Sequence, residues 1–148
     1  MKTRVTVTNV VFVDDDADEF YLFNEAIEQA ELAVKMRRAK DGNDLIKYLH
    51  ENELPDVIFM DLNMPYKDGV ETLTELKSNG NFKEIPVIIF STSRNANQIN
   101  TCFDKGANMY VVKPETFDEI SHMVKKVFAI DWKNSHQQAP QESFVLSY

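Results

Sequence analysis

Side chains that can do chemistry follow four apolar runs of this chain, each at the point where the run stops. They are two carboxylates, one further carboxylate, a hydroxyl and an ammonium, in the order Asp14, Asp15, Asp61, Ser91 and Lys113. A carboxylate accompanied by further acids, a hydroxyl and an ammonium is the set of groups that transfer of a phosphoryl group to an aspartate requires. A divalent cation completes the set, because Mg²⁺ takes oxygen ligands and commonly binds one or two carboxylates with a phosphate oxygen.

The central acid is Asp61, which ends the run Val57–Met60 between Pro55 and Pro65. A short continuous apolar run between two prolines predicts a strand buried on both faces, since no helix of three turns fits there. In an open α/β sheet the ligand site lies outside the carboxyl ends of the strands. Asp61 is therefore the predicted chemical centre, at the point where its strand leaves the core.

The elements that must position these groups alternate along the chain. Apolar runs predict strands at about 5–13, 32–39, 57–60, 86–90 and 109–112. Helical spacing of apolar residues predicts helices at about 18–31, 43–51, 70–79, 95–105 and 115–130. This alternation predicts an α/β fold: one doubly wound (βα)5 domain with a five-stranded parallel sheet and helices on both faces.

The strand order decides whether the reactive groups meet. In the flavodoxin-like order 2-1-3-4-5 the first and third strands are neighbours at the switch point, and the carboxylates of Asp14, Asp15 and Asp61 converge there. Like charges that close raise one another's pKa or require a cation, so this order predicts a Mg²⁺ site. The third acid, Asp16, is assigned instead to capping the next helix, with Glu19 three residues later as in a capping box.

The composition bounds the classes of protein to which the chain can belong. Its 148 residues fit one domain, and 43% apolar residues are enough to build a core. A net charge of −8 argues against nucleic acid and anionic membranes as direct partners. The single cysteine, Cys102, permits no internal disulfide, and the sequence shows neither a signal peptide nor a membrane span. A cytoplasmic location is therefore expected.

The chain changes character after residue 131. Residues 134–143 are mostly polar, whereas Trp132 and the run Phe144-Val145-Leu146 are too apolar for an idle linker. We therefore divide the chain into a domain at 1–131 and a C-terminal tail at 132–148. The tail is expected to pack on the domain or on a second chain, so the sequence leaves a homodimer open.

The motifs at the strand ends resemble, in order and spacing, those of the receiver domain of two-component response regulators. The resemblance covers residues about 5–130 and rests on four segments, Val13-Asp14-Asp15, Met60-Asp61-Leu62-Asn63-Met64-Pro65, Phe90-Ser91-Thr92 and Val112-Lys113-Pro114. Each segment alone is a weak signal, whereas the ordered set is specific. Within the family, the loop at Lys67 and the tail look most like small stand-alone regulators of the phytochrome-associated kind.

The resemblance implies a phosphoacceptor switch rather than an enzyme, with self-catalysed phosphorylation and dephosphorylation. A sensor histidine kinase or a histidine phosphotransfer protein would donate the phosphoryl group to Asp61, in a reaction that depends on Mg²⁺. The signal would pass to a downstream protein partner through protein–protein contacts, as in a two-component phosphorelay. Neither a nucleic acid nor a membrane is expected as a partner.

The resemblance also implies a role for each residue of the site. Lys113 contacts the phosphoryl group, Ser91 is the switch hydroxyl, and Tyr110 is the aromatic residue that turns inward when Ser91 moves. The bond before Pro114 is expected to be cis, because X-Pro is where the cis form is least costly. The implied magnesium ligands, direct or through water, are Asp14, Asp15, Asp61 and the backbone carbonyl of Asn63.

Two other classes of protein use similar groups. A Mg²⁺-dependent phosphatase of the haloacid dehalogenase type also has a nucleophilic aspartate. It needs a second acid two residues later, where this chain has Asn63, and an amide cannot shuttle a proton. A flavodoxin-like cofactor binder needs a phosphate loop after the first strand, where three aspartates would repel a phosphate. Within the receiver interpretation, Thr92 replaces Ser91 as the switch hydroxyl if the strand register differs by one.

Overall fold

The structure, a computed structural model, describes residues 6–64, 67–135 and 137–148. Its strands are β1 (Thr8–Val13), β2 (Val34–Ala39), β3 (Val57–Met60), β4 (Val87–Ser91), β5 (Met109–Val112) and β6 (Val145–Leu146). Its helices are α1 (Ala17–Gln29), α2 (Gly42–Glu51), α3 (Gly69–Ser78), α4 (Ala96–Asp104) and α5 (Phe117–Val127), with a 3₁₀ turn at Gln141–Ser143. Pro65 and the predicted start of the first strand at Val5 lie outside the described residues. Across the described ranges, no helix combines the length and apolarity that a membrane span requires.

The sheet is parallel throughout, in the order β2-β1-β3-β4-β5-β6. This confirms the predicted flavodoxin-like α/β fold and the order 2-1-3-4-5. The sheet has one strand more than predicted, because the two residues of β6 are too short a run to show strand periodicity. β3 and β4 are buried along their whole length, which explains why their sequences are continuous apolar runs.

Helices cover both faces of the sheet and bury two hydrophobic layers. On the face under α1 and α5, phenylalanine rings contact one another with centroids 5.0 to 6.3 Å apart; they are Phe12, Phe23, Phe59 and Phe90. The helices α2, α3 and α4 cover the other face, around Leu45, Ile58 and Leu73. Because both layers are closely packed, the carboxyl ends of the strands are held in fixed positions relative to one another.

Each of these helices begins at a side chain that accepts a hydrogen bond from the first turn, namely Asp16, Asp41, Asp68, Asn95 and Thr116. Asp16 caps α1 as predicted, accepting the N–H of Asp18 at 2.9 Å. The second half of the predicted capping box is wrong. The N–H of Asp16 donates to Asp14 Oδ1 at 2.8 Å, and the carboxylate of Glu19 reaches Lys113 instead.

The described residues of the C-terminal tail, 132–135 and 137–148, pack against the preceding part of the chain. Trp132 is buried and donates its indole N–H to the carbonyl of Val127 at 2.9 Å. β6 pairs with β5, the N–H of Tyr110 donates to the carbonyl of Phe144 at 2.9 Å, and the Phe144 ring is buried. The tail therefore covers the β5 edge of the sheet within one chain. Its pairing with a second chain stays a prediction.

Candidate functional site

Asp61 lies at the carboxyl end of β3, where the strand leaves the core. Its N–H donates to the carbonyl of Val13 at 3.0 Å, so the pairing of β3 with β1 extends to this residue. Asp61 is 7% exposed, and its Oδ1 accepts the N–H of Asn63 at 3.2 Å. The carboxylate is thus held by the backbone on one side, while Oδ2 faces Lys113 at 3.3 Å.

Gly69 lets α3 begin directly against the loop that carries Asp61. Its N–H donates to the carbonyl of Leu62 at 3.0 Å. A Cβ at Gly69 would lie 2.4 Å from the carbonyl oxygen of Asp61 and 2.8 Å from the Cα of Leu62. Any side chain at this position would therefore displace either the helix or the loop, which gives the glycine a packing role beside the reactive carboxylate.

Three carboxylates meet at this edge of the sheet. Asp14, Glu19 and Asp61 each bring one oxygen to within 4.8 Å of the others. Asp14 is only 1% exposed, and its Oδ2 has no hydrogen-bond partner among the described residues, with just a 3.5 Å ion pair to Lys113 Nζ. A buried carboxylate oxygen without a donor is costly, so this atom marks a place for a further positive charge.

The ammonium of Lys113 lies among these carboxylates. Nζ is 2.6 Å from Glu19 Oε2, 3.3 Å from Asp61 Oδ2 and 3.5 Å from Asp14 Oδ2. Burial lowers its pKa, but the hydrogen bond to Glu19 and the surrounding negative charges raise it by more, so the pKa lies above that of a free lysine. The expected cis bond before Pro114 is wrong, since no peptide bond in the described ranges is cis. A trans bond already delivers the ammonium to the site, so nothing requires the rarer form.

The two buried acids of the cluster, Asp14 and Asp61, both have raised pKa values. Burial raises the pKa of Asp14 to about 6, with a contribution from Glu19 and partial opposition from Lys113. Burial likewise raises the pKa of Asp61, again opposed by Lys113. Both carboxyls are therefore harder to ionise than free aspartates, despite the ammonium beside them.

The donor set of the cluster fits a divalent cation. Three carboxylates against one ammonium leave the site two charges short of neutrality when all are ionised. The donors are all oxygens, which hard divalent ions prefer, and the unpartnered oxygen of Asp14 faces the same space. Asp14, Glu19 and Asp61 can thus hold a divalent metal.

Ser91 ends β4 and is fully buried. Its Oγ accepts the N–H of Ser93 at 3.2 Å, and its carbonyl accepts the N–H of Lys113 at 2.8 Å. The side chain of Thr92 is exposed, because successive residues of a strand point to opposite sides. The register therefore favours Ser91 over Thr92 as the hydroxyl of the site.

Tyr110, the predicted switch aromatic, lies in the core in this structure. The residue is fully buried, and its hydroxyl donates to the carbonyl of Ser93 at 2.8 Å. Burial raises its pKa, partly offset by hydrogen bonds to Ser91 and Ser93. Phe144 of the tail lies over it, with ring centroids 6.4 Å apart. Tyr110 is thus packed against the tail, and its coupling to Ser91 stays a prediction.

Two predicted metal ligands lie at the rim of the site. Asp15 is exposed, and its carboxylate is not part of the three-acid cluster. The guanidinium of Arg38 holds this loop by donating to the carbonyls of Asp14 at 3.1 Å and Asp15 at 2.9 Å. Asn63 is also exposed, and its backbone N–H donates a hydrogen bond to Asp61 Oδ1. The structure therefore brings together the side chains of Asp14, Asp61 and Lys113, and leaves that of Asp15 at the edge.

Glu19 is the site residue that sequence reasoning missed. Its position three residues after Asp16 matched a capping box, which is a common local pattern. The available signal was its place in the first turn of α1, directly after the acids that end β1. Helical side chains lean toward the N-terminus of their helix, so a long acid in that turn reaches back toward the strand ends.

Comparison with known proteins assigns the family. Residues 10–125 match the response regulator receiver domain. The chain belongs to this family. The match runs from β1 into α5 and confirms the resemblance that the four strand-end motifs showed. Receiver domains accept a phosphoryl group from kinases or phosphotransfer proteins, so membership supports the phosphoacceptor role rather than the haloacid dehalogenase alternative.

Among similar response regulators, Rcp1 of Synechocystis sp. is 28% identical over 124 residues, covering 80% of this chain and 84% of that protein. The structure of the phosphorylated cyanobacterial phytochrome response regulator RcpA is 31% identical with a TM-score of 0.75, covering 82% of this chain and 91% of that one. The Mn²⁺-bound form of Rcp1 is 25% identical with a TM-score of 0.77, covering 89% of this chain and 99% of that one.

Proposed function

We propose that Asp61 of this receiver domain takes a phosphoryl group from a phosphohistidine. The observation that carries the proposal is the convergence at one sheet edge of Asp61, the buried acid Asp14 and the Lys113 ammonium, whose Nζ lies within 3.5 Å of both carboxylates. The donor is a sensor histidine kinase or a histidine phosphotransfer protein. Because a phytochrome response regulator is among the similar structures, a kinase of the phytochrome class is the first candidate donor.

The reaction exchanges one bond to phosphorus for another. A carboxylate oxygen of Asp61 attacks the phosphorus of phosphohistidine as the phosphorus–nitrogen bond breaks. The electron pair of that bond stays on the imidazole, which takes up a proton from water. Lys113 pairs with one oxygen of the transferred group, and the Ser91 hydroxyl donates a hydrogen bond to another.

Magnesium is the proposed cofactor of this site. Asp14 and Asp61 would hold it, with the Asp15 carboxylate and the backbone carbonyl of Asn63 contributing directly or through water. Glu19, the third acid of the cluster, would add negative charge beside the cation. When bound, it supplies positive charge to the oxygens of the phosphoryl group. The unpartnered oxygen of Asp14 and the surplus negative charge of the cluster support this assignment.

Ser91 and Tyr110 are proposed to carry the change from the site to the surface. Ser93 lies in the loop between Ser91 and α4. Its carbonyl accepts a hydrogen bond from the Tyr110 hydroxyl and its N–H donates one to Ser91 Oγ. A movement of Ser91 would therefore be transmitted to the start of α4. α4 is rich in asparagine, which is a poor helix former, and Cys102 is the one residue of this helix that is buried. Few packing contacts therefore fix the position of α4. A shift of α4 would alter the contact with a downstream protein partner.

The domain division is part of the same proposal. Residues 1–131 form the receiver domain, and residues 132–148 form a tail that packs on it through Trp132 and Phe144. The covered β5 edge supports a role of the tail in shaping the surface beside α4.

The test is intact-protein mass spectrometry after incubation with acetyl phosphate, with and without Mg²⁺. We expect wild type to gain the mass of one phosphoryl group in the presence of Mg²⁺, and Asp61→Asn to gain none. Asp104→Asn, which removes an exposed carboxylate of α4, is the matched control and should behave as wild type. Undiminished incorporation in Asp61→Asn would overturn the proposal, and sustained turnover of phosphomonoesters would revive the phosphatase alternative.

A further inference from the structure

The contact between Glu19 and Lys113 is the shortest that the ammonium makes in the acidic cluster. The distance from Oε2 to Nζ is 2.6 Å, whereas the same Nζ is 3.3 Å from Asp61 and 3.5 Å from Asp14. Glu19 lies at the mouth of the site, since its side chain is 31% exposed while that of Asp61 is 8% exposed. The ammonium is therefore held closer to the acid at the mouth than to the nucleophile.

We infer that Glu19 is a positioning residue that holds the Lys113 ammonium in the resting protein and competes for it with the phosphoryl group on Asp61. The inference rests on the proposed function of Asp61 and deepens it. Glu19 thereby sets how much phosphorylated protein accumulates.

The two partners differ in how far they can move. Glu19 is in the first turn of α1, and the neighbouring Phe20 and Phe23 anchor that turn by packing on Phe12. The carboxylate also benefits from the N-terminal end of the helix dipole. Lys113 has a flexible four-carbon stem, so the ammonium is the partner that moves when a new anion arrives.

Two effects of Glu19 then act in the same direction. An ammonium drawn to the phosphoryl oxygens loses its short charge-assisted hydrogen bond to Glu19. The Glu19 carboxylate also repels the negative charge that Asp61 gains on phosphorylation. Both effects favour the unphosphorylated form, so removal of the Glu19 charge should favour the phosphorylated one.

The first experiment measures the rate of phosphorylation by acetyl phosphate and the steady-state phosphorylated fraction. Mg²⁺ is titrated to a plateau for each variant, because loss of a carboxylate also weakens cation binding. We expect Glu19→Gln to raise the ratio of phosphorylated to unphosphorylated protein by about three- to tenfold. Asp18→Asn removes an exposed acid from the same helical turn outside the cluster, and it should match wild type.

A second variant separates positioning from charge. Glu19→Asp keeps the negative charge but withdraws the carboxylate by one methylene, so the 2.6 Å contact cannot form unless the Lys113 ammonium moves away from Asp61 and Asp14. If Glu19 acts by holding the ammonium, Glu19→Asp shifts the ratio in the same direction as Glu19→Gln. Wild-type behaviour of Glu19→Asp, or of Glu19→Gln, overturns the inference.

A third measurement distinguishes failure of this inference from failure of the proposed function. Proton exchange of the Lys113 ammonium, followed by nitrogen-detected NMR in metal-free protein, reports the resting contact without any phosphorylation. We expect faster exchange in Glu19→Gln than in wild type and Asp18→Asn, and equal exchange in all three overturns the holding role. If wild type takes up no phosphoryl group, the proposed function fails and the competitive role of Glu19 fails with it.

Discussion

Two partly buried lysines lie at opposite ends of the parallel strands and have different kinds of partners. The amino edge and the carboxyl edge are the sides of the sheet at which the strands begin and end. The Lys77 ammonium lies at the amino ends of β4 and β5, where it donates to the carbonyls of Ile85 at 2.9 Å and Lys83 at 3.2 Å, and to Asn108 Oδ1 at 3.4 Å. Lys113 follows the carboxyl end of β5 and lies among three carboxylates. One ammonium is thus bonded to neutral oxygens, and the other to charged ones.

The pKa values of these two lysines move in opposite directions. Burial lowers the pKa of Lys77, and the nearby charge of Glu84 offsets only part of that effect. Burial acts in the same sense on Lys113, but its carboxylate partners raise the pKa by more. The Lys77 ammonium joins two backbone carbonyls and a side-chain amide, whereas the Lys113 ammonium is shared by three carboxylates. The comparison indicates that the amino edge holds the fold together and the carboxyl edge reacts.

The largest expected difference between the two lysines is in phosphorylation. Lys113→Met removes the side-chain cation that faces the transferred group and should slow phosphorylation by acetyl phosphate about a hundredfold. Lys77→Met, at the other edge, should change the rate by less than about threefold, because that ammonium contacts none of the reacting groups. Time courses of mass increase at saturating Mg²⁺ measure both rates. Equal slowing by the two substitutions would remove the distinction between the edges.

A second contrast uses two glycines. Gly69→Ala places a methyl group 2.4 Å from the Asp61 carbonyl and should lower the free energy of unfolding by about 2 kcal/mol, with a loss of phosphorylation. Gly80→Ala has no atom within 4 Å of the new methyl group and should be neutral or slightly stabilising. Urea denaturation and the phosphorylation assay provide the two readouts. A stable, fully active Gly69→Ala protein would show that the loop carrying Asp61 can yield.

The pH dependence of stability tests the charge surplus at the carboxyl edge. Burial raises the pKa of Asp14 from 3.8 to about 6, so the native carboxyl keeps a proton that the unfolded chain releases between these values. The contribution of Asp14 to the free energy of unfolding of metal-free protein therefore falls as pH rises from about 4 to about 6. Asp14→Asn should remove this loss and stabilise the protein by about 1 to 3 kcal/mol at pH 8 in a chelator.

Urea denaturation of wild type and Asp14→Asn at pH 4 and pH 8 measures this effect. Added Mg²⁺ should stabilise wild type more than Asp14→Asn, because the substitution removes a proposed ligand. An Asp14→Asn protein that is less stable than wild type at pH 8 without metal would show that Lys113 fully compensates the buried charge.

The smallest expected effect is the structural contribution of Lys77. Lys77→Met leaves buried carbonyls with one donor fewer and should lower the free energy of unfolding by about 1 kcal/mol. Lys47→Met removes an exposed lysine of α2 and is the matched control, with no change expected. The loss should be the same with and without Mg²⁺, since Lys77 lies at the opposite edge from the acids. A Mg²⁺-dependent loss would connect the two edges.

Much of the fold and part of the site were predictable because their signals are local. Continuous apolar runs gave the buried strands, and the residues that end them, Asp61, Ser91 and Lys113, follow from where those runs stop. Parallel strands bring such ends to one edge, so their meeting follows from the fold. The prediction for Glu19 was wrong because the N–H that a capping box would use is occupied by Asp14, from before the helix.

The sequence by itself determined the alternation of strands and helices, the family and the residues that end each strand, since periodicity and turn residues act over a few positions. Only the tertiary structure decided the direction of the Glu19 carboxylate, the packing of Tyr110 against Phe144 and the covering of β5 by the tail. In these features the contacting residues are between 34 and 94 positions apart in the sequence, and Glu19 and Lys113 are the pair 94 positions apart. Local patterns cannot specify such contacts, because packing of distant segments selects among several locally acceptable orientations.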